Sequence, residues 1–366
     1  MDSADRRWLR ALPEWPRAEL ATLPTPLHPL LRLTQQLNGP EIWIKRDDLT
    51  GLVGGGNKTR KLEFVVGDAL RSGADTVVTV GALQSNHTRQ TAAAAARVGL
   101  GCVLLHNRWV PKAGTVYREV GNVLLSQLLG AQLYYDPIER PVGDHGQLEA
   151  LVEHVRETGR APYLIPCGAS EHRLGGLGYV VCAAEIAAQA EELGVHFDHV
   201  LHCTGSSSTQ AGLLAGFAAL GVKTVVIGVS DDEEAEEKRE RVLRLANATL
   251  DELGLPARVS TADVHVIVAD PNPYGVAGPE TVEAIRVLAR TEGLMADPVY
   301  EGKAVRGLIA LVERGDLRAD QRVLLVHLGG NPAVHGYTDQ LGPVELTELP
   351  VGARAAKASV GTVDID

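Results

Sequence analysis

The sequence predicts an α/β protein built from two open parallel-sheet domains, and three observations carry that expectation. Apolar runs about six residues long, rich in β-branched side chains, alternate with longer helical patterns, as parallel strands covered by helices require. The chain has 366 residues, enough for two cores. The strand candidates are also too many for one simple sheet. On pattern alone a (β/α)₈ barrel competes, because eight or nine βα pairs would also fill it.

The strand candidates are EIWIKR (41–46), TVVTVG (76–81), GCVLLH (101–106), AQLYY (131–135), PYLIP (162–166), HVLHC (199–203), TVVIGV (224–229), VHVIVA (264–269) and RVLLVH (322–327). Helices are expected between them at 57–72, 85–98, 115–129, 145–158, 176–193, 209–220, 233–253, 278–291 and 301–314. The last dozen residues are small and weakly patterned, so the C-terminal end is expected to be flexible.

Composition narrows the function classes. Apolar residues make up 45% and charged residues 22%, an ordinary globular balance. A formal net charge of −11 opposes a nucleic-acid or anionic-membrane partner, though a pocket can still carry its own positive field. No run approaches the roughly 18–20 apolar residues of a membrane span. The N-terminus, MDSADRRWLRALPEWP, lacks a secretory pattern, so a cytoplasmic protein is expected. Cys102, Cys167, Cys182 and Cys203 are scattered through apolar runs. They read as buried thiols in a reducing compartment rather than a zinc site or disulfide framework, and no metal is expected.

Three segments carry chemistry. In GLVGGGNKTRKLEF (51–64), three glycines open the backbone before a helix that Asn57 is placed to cap, and the helix start favours an anion. Lys58 and Lys61, three residues apart, share a helix face. One amine can form a Schiff base while the other ammonium contributes charge to a phosphate. The loop lacks Walker A spacing, so the local alternative is a basic surface helix, not a nucleotide site. In HCTGSSSTQAGLLAG (202–216), five hydroxyls from Thr204 to Thr209 surround Gly205 between a strand and a helix, a setting for a phosphate monoester. In GALQSNHTRQ (81–90), Ser85, Asn86 and His87 stand at another strand-to-helix junction, suited to a carboxylate. Ser85 can also relay a proton there.

These segments, in this order, resemble the tryptophan synthase β-type, fold type II, pyridoxal 5'-phosphate (PLP) enzymes. More narrowly they resemble the family of 1-aminocyclopropane-1-carboxylate (ACC) deaminase, D-cysteine desulfhydrase and L-cysteate sulfo-lyase. The resemblance spans about residues 22–340 and rests on IKRDD, GGNKTRKLEF, GALQSNHTRQ, TGSSSTQAG, DPVYEGK (297–303) and HLGGNPA (327–333). It implies a PLP-dependent deaminase or lyase acting on a small amino acid, with Lys58 bearing the cofactor and Lys61 and Asn86 fixing it. The 204–209 loop (Thr204, Gly205, Ser206, Ser207, Ser208, Thr209) should cup the phosphate, with Glu301 and Leu328 at the pyridine ring. It also implies a small domain at 64–170, a large one from 1–63 and 171–340, a C-terminal extension at 341–366, and a homodimer.

The resemblance divides on substrate. YEGK at Glu301, HLGG at Leu328, Trp109 in NRWV and Tyr274 in PYG are similar to ACC deaminases. In that reading Ser85, Asn86, His87, Trp109, Tyr274 and Tyr300 bind the substrate, with the Tyr300 hydroxyl poised at the cyclopropane ring and Tyr274 aiding its orientation. The bland alternative for Trp109 and Tyr274 is core or cleft-wall packing. Products are 2-oxobutanoate and ammonia. QSNH at His87 and the longer serine loop instead resemble the sulfur-releasing branch, which yields pyruvate, ammonia and sulfide or sulfite. A noncatalytic amino-acid- or PLP-binding protein is the expectation from a different class.

Overall fold

The computed structural model describes residues 15–110, 114–232 and 234–347. The elements, in order, are β1 (Leu27–Pro29), α1 (Leu31–Leu37), β2 (Glu41–Arg46), α2 (Asn57–Arg71), β3 (Thr76–Ala82), α3 (Asn86–Val98), β4 (Gly101–Arg108), α4 (Gly121–Leu128), β5 (Gln132–Glu139), α5 (Leu148–Glu157) and β6 (Pro162–Leu164). The chain continues through α6 (Leu177–Leu193), β7 (His199–Cys203), α7 (Ser208–Leu220), β8 (Val225–Ser230), α8 (Ala235–Glu252), β9 (His265–Val268), α9 (Pro279–Glu292), α10 (Glu301–Glu313) and β10 (Arg322–His327). Residues 1–14 and 348–366, including most of the expected C-terminal extension, lie outside the described residues.

The strands form two sheets, which replaces the barrel alternative. A four-stranded sheet runs β5-β4-β3-β6, and a six-stranded sheet runs β1-β2-β10-β7-β8-β9. Every pairing is parallel except that of β1 with β2. All seven residues of β3 are buried, as expected for a central parallel strand covered on both faces. The larger core gathers Ile42, Ile44, Val200, Leu201, Val226 and Leu324 with the inner faces of α6 and α7.

Those two helices approach closely because α7 carries small residues. A Cβ on Gly212 would come within 2.3 Å of the Gly176 carbonyl and 2.6 Å of the Tyr179 Cβ. Any larger residue there would push α7 off α6.

A buried ion network joins β2, α2 and α6. Arg60 grips Asp47 bidentately at 2.7 and 2.7 Å and reaches Glu185 at 3.0 Å. Lys45 bonds Glu185 from the other side. Tyr179 and Thr25 donate to Asp47 at 2.7 and 2.8 Å. Burial alone would raise the Asp47 carboxyl, but the Arg60 guanidinium and these donors hold it below its usual range. The network therefore anchors one face of the helix whose first turn carries Lys58.

Candidate active site

The catalytic candidates converge because parallel sheets leave a crevice beyond the carboxyl ends of their strands. Ser85 follows β3, Gly168 follows β6, the 204–207 turn follows β7, Asp231 follows β8 and Leu328 follows β10. These ends border a cavity of about 400 Å³ between the two sheets.

Lys58 enters it from the first turn of α2. The helix is capped by Gly56, at φ 124°, with no side-chain cap, so Asn57 is not the cap that the sequence suggested. Asn57 is already helical; its side-chain amide instead donates to the Thr209 hydroxyl at 3.2 Å. Only glycine fits at position 56, where a Cβ would stand 2.8 Å from Gln90 Nε2 and 3.0 Å from the Leu328 carbonyl.

Lys58 Nζ donates to Ser206 Oγ at 2.8 Å and lies 3.4 Å from the Gly168 carbonyl. Lys61 Nζ reaches the same hydroxyl at 3.3 Å from behind, without lining the cavity. Burial lowers the Lys58 amine. Burial and the neighbouring Lys58 charge push Lys61 well below the usual lysine range.

The serine loop is only partly open to the cavity. Gly205, Ser206, Ser207 and Thr209 line it, whereas the Thr204 and Ser208 side chains do not. Ser208 spends its hydroxyl on Ser170 at 2.9 Å, so only its place at the start of α7 bears on an anion. Ser207 Oγ and Thr204 Oγ1 are buried and bond no described residue.

At the opposite corner Ser85 caps α3, accepting from the Thr88 N–H at 3.3 Å. Asn86 Oδ1 accepts from Asn122 at 2.8 Å, which leaves the Asn86 amide N–H₂ as the group it can offer. Thr79 donates its hydroxyl proton to the Ile165 carbonyl at 2.7 Å and lies 2.8 Å from His87 Nε2. The proton of His87 is therefore on Nε2, and Nδ1 is a buried acceptor with no partner. Burial, with the Lys58 and Lys61 charges, holds this imidazole well below its usual range.

The remaining wall contains Trp109, Tyr274, Tyr300, Glu301 and Leu328. The Tyr274 and Tyr300 hydroxyls are 2.6 Å apart, and burial raises both phenols well above their usual range. Trp109 is fixed by its indole N–H to the Asp144 carbonyl at 3.1 Å. Glu301 is 1% exposed, and neither carboxyl oxygen makes a hydrogen bond of normal geometry, although the Leu328 N–H is close. Burial first, and then nearby Asp297, push its carboxyl well up, so it tends to keep a proton.

The cavity thus gathers thirteen of the sixteen expected residues, missing Lys61, Thr204 and Ser208. It adds His145, Asp231, Asp232 and others that the sequence did not single out, together with Asn57 and Cys167, which it read only as a cap and a buried thiol. Position directly after a strand was the available signal for Asp231. Among the described residues, no group of three or more His, Cys, Asp or Glu side chains is placed to hold a metal ion, and no helix is long and apolar enough to cross a membrane.

An aromatic phosphate ester with a ring nitrogen and an aldehyde fits these groups. The unbonded Ser207 hydroxyl and the unbonded Glu301 carboxyl are orphaned buried atoms that it would satisfy, and the Lys58 amine, which donates to Ser206, faces the same cavity.

Residues 18–329 match the family described as pyridoxal-phosphate dependent enzyme. The chain is similar to 1-aminocyclopropane-1-carboxylate deaminase of Burkholderia cenocepacia, with 45% identity over 329 residues, 89% of this chain and 97% of the relative. The Burkholderia vietnamiensis protein of the same name is 44% identical over 331 residues, covering 90% and 98%. A crystal structure of an ACC deaminase homologue superposes with a TM-score of 0.82 at 34% identity, covering 93% of this chain and 99% of that one. The chain therefore belongs to the fold type II pyridoxal-phosphate-dependent enzymes, in the family of ACC deaminase and D-cysteine desulfhydrase, and uses PLP for deaminase or lyase chemistry on a small amino acid.

Proposed function

We propose that the substrate is ACC, opened and deaminated to 2-oxobutanoate and ammonia. The observation that carries this reading is Glu301, a buried carboxyl with a raised pKa and no bonded partner, at the cavity wall beside Leu328. A proton retained there favours the strongest electron withdrawal. ACC demands that, because its α-carbon bears no hydrogen and a carbon–carbon bond must break. The names of the Burkholderia relatives support the same choice.

When bound, PLP supplies the electron sink for the carbon skeleton. Lys58 would hold PLP as the attachment lysine, and its amine is the group placed to move protons at the ring-derived carbons of the substrate. Lys61 and the 204–209 turn hold the phosphate, with Gly205, Ser206, Ser207 and Thr209 at the cavity wall, Thr204 as the residue that leads into the turn and Ser208 through its position at the helix start. Asn86 steadies the cofactor and, with Ser85 and the start of α3, receives the substrate carboxylate, while His87 offers its Nδ1 acceptor to a donor group of the substrate. Tyr300 presents its hydroxyl to the cyclopropane ring. Tyr274 orients it through the 2.6 Å bond between their hydroxyls, and Trp109 closes the wall. We also assign the small domain to residues 64–170, with the large one formed from 1–63 and 171–340, and propose a homodimer.

A second reading is favoured by the unpartnered Nδ1 of His87 and the longer serine loop. There Lys58 removes an α-proton from D-cysteine, L-cysteine or L-cysteate, and sulfide or sulfite leaves. A side-by-side assay on ACC and these three amino acids separates the readings. The expected product is 2-oxobutanoate from ACC; pyruvate from cysteate with no turnover of ACC rejects the proposal. Glu301→Ser is expected to lower ACC turnover about 100-fold while leaving cofactor retention nearly intact. Unchanged turnover would remove Glu301 from the argument.

A further inference from the structure

We infer that Lys238 is a positioning residue for the cofactor phosphate, acting as an internal cation behind the serine loop. This rests on the reading that the 204–209 turn is the phosphate site. Lys238, on the first turn of α8, is fully buried. Its ammonium donates to the Gly205 carbonyl at 2.6 Å and to Asp232 at 2.7 Å. Asp231 Oδ1 is 3.8 Å away, beyond hydrogen-bond reach, and both Asp231 oxygens lack a partner of normal geometry. A buried ammonium that bonds a loop carbonyl while a neighbouring carboxyl goes unbonded marks the loop conformation as the feature being held.

The consequence follows from peptide geometry. In a planar trans peptide the carbonyl of residue 205 and the N–H of residue 206 point in opposite directions. Fixing the Gly205 carbonyl on Lys238 therefore turns the Ser206 N–H away from α8. That N–H donates to no described acceptor. The Ser206 hydroxyl is held in turn by Lys58 and Lys61, at 2.8 and 3.3 Å. The serine is thus set by lysine side chains on two sides, its N–H by Lys238 and its hydroxyl by the two lysines of α2.

A phosphate dianion in this turn would meet neutral hydroxyl and N–H donors directly. Its charge would be balanced by Lys61 and, through the polarised Gly205 peptide, by Lys238. Burial and nearby Asp232 favour the protonated form of Asp231, and Asp232 is an ion-pair partner of Lys238 at 2.7 Å.

The test dialyses the holoenzyme against graded PLP or pyridoxal, which lacks the phosphate, and reads bound cofactor by its absorbance. Lys238→Met is expected to weaken PLP retention about tenfold and pyridoxal retention less than about twofold, with Lys238→Arg intermediate. The double variant Lys238→Met/Asp232→Asn removes the Asp232 carboxylate too, and serves if the single variant folds poorly. It should remain weak for PLP. Recovery of wild-type PLP retention in the double variant would trace the defect to an unpaired Asp232 and overturn the inference. So would an unchanged preference for PLP over pyridoxal in both variants. A wild-type protein that does not prefer PLP to pyridoxal would instead reject the phosphate site itself.

Discussion

Lys58→Ala is expected to abolish both the visible absorbance of the lysine-bound cofactor and turnover. Lys58 presents a buried amine to the cavity, and burial favours the neutral, nucleophilic form. Lys61 stands on the same helix face and reaches the same Ser206 hydroxyl, but from behind the cavity wall. It is therefore not placed to substitute. Absorbance spectra and product assays on the purified variant check this, and retained turnover would reject the role given to Lys58. Free PLP added to the variant is expected to restore no lysine-bound band.

Arg60→Met is expected to destabilise the fold by about 3–5 kcal/mol, because it leaves buried carboxylates without their guanidinium. Asp47 would keep its neutral donors Tyr179, Thr25 and, at 3.9 Å, the Cys182 thiol, with the longer-range charge of Lys45. Glu185 would keep Lys45. Denaturant unfolding of wild type and variant measures the loss; a change below about 1 kcal/mol would show that the site relaxes around the missing charge. The pH dependence has a definite sign. Asp47 has a folded pKa below its ordinary value of 3.8, so its contribution is fully present above that value. It is lost as pH falls through the lower folded pKa. Removing Arg60 should shrink this acid-side dependence, since the guanidinium is the main opponent of burial at Asp47.

Much of this architecture was legible because buried parallel strands write continuous apolar runs. The segments 41–46, 199–203 and 322–327 are strands with the expected bounds. The elements that escaped are those whose identity depends on neighbours. β1 is three residues long and ends on a proline, and it exists only by antiparallel pairing with β2. The helix expected at 115–129 is instead a 3₁₀ turn at Thr115–Arg118 followed by α4, broken where Gly121 takes φ 63°. In the site, Lys58, the serine loop and QSNH announced themselves through glycine and hydroxyl clusters at strand-to-helix junctions. Asp231 and Lys238 did not. They sit in SDDEEAEEKRERV, which reads as a solvated acidic helix start, and only the packing of α8 behind the loop buries them.

The paired amines on α2 also bear on proton traffic. Without a phosphate, burial and the Lys58 charge press Lys61 toward its neutral form. Under the proposed placement the arriving dianion reverses that pressure, so loading the enzyme draws a proton from solvent onto Lys61. Cofactor capture then becomes a proton-consuming step. Its affinity should rise as the medium becomes more acidic, until the phosphate itself takes up its second proton near pH 6.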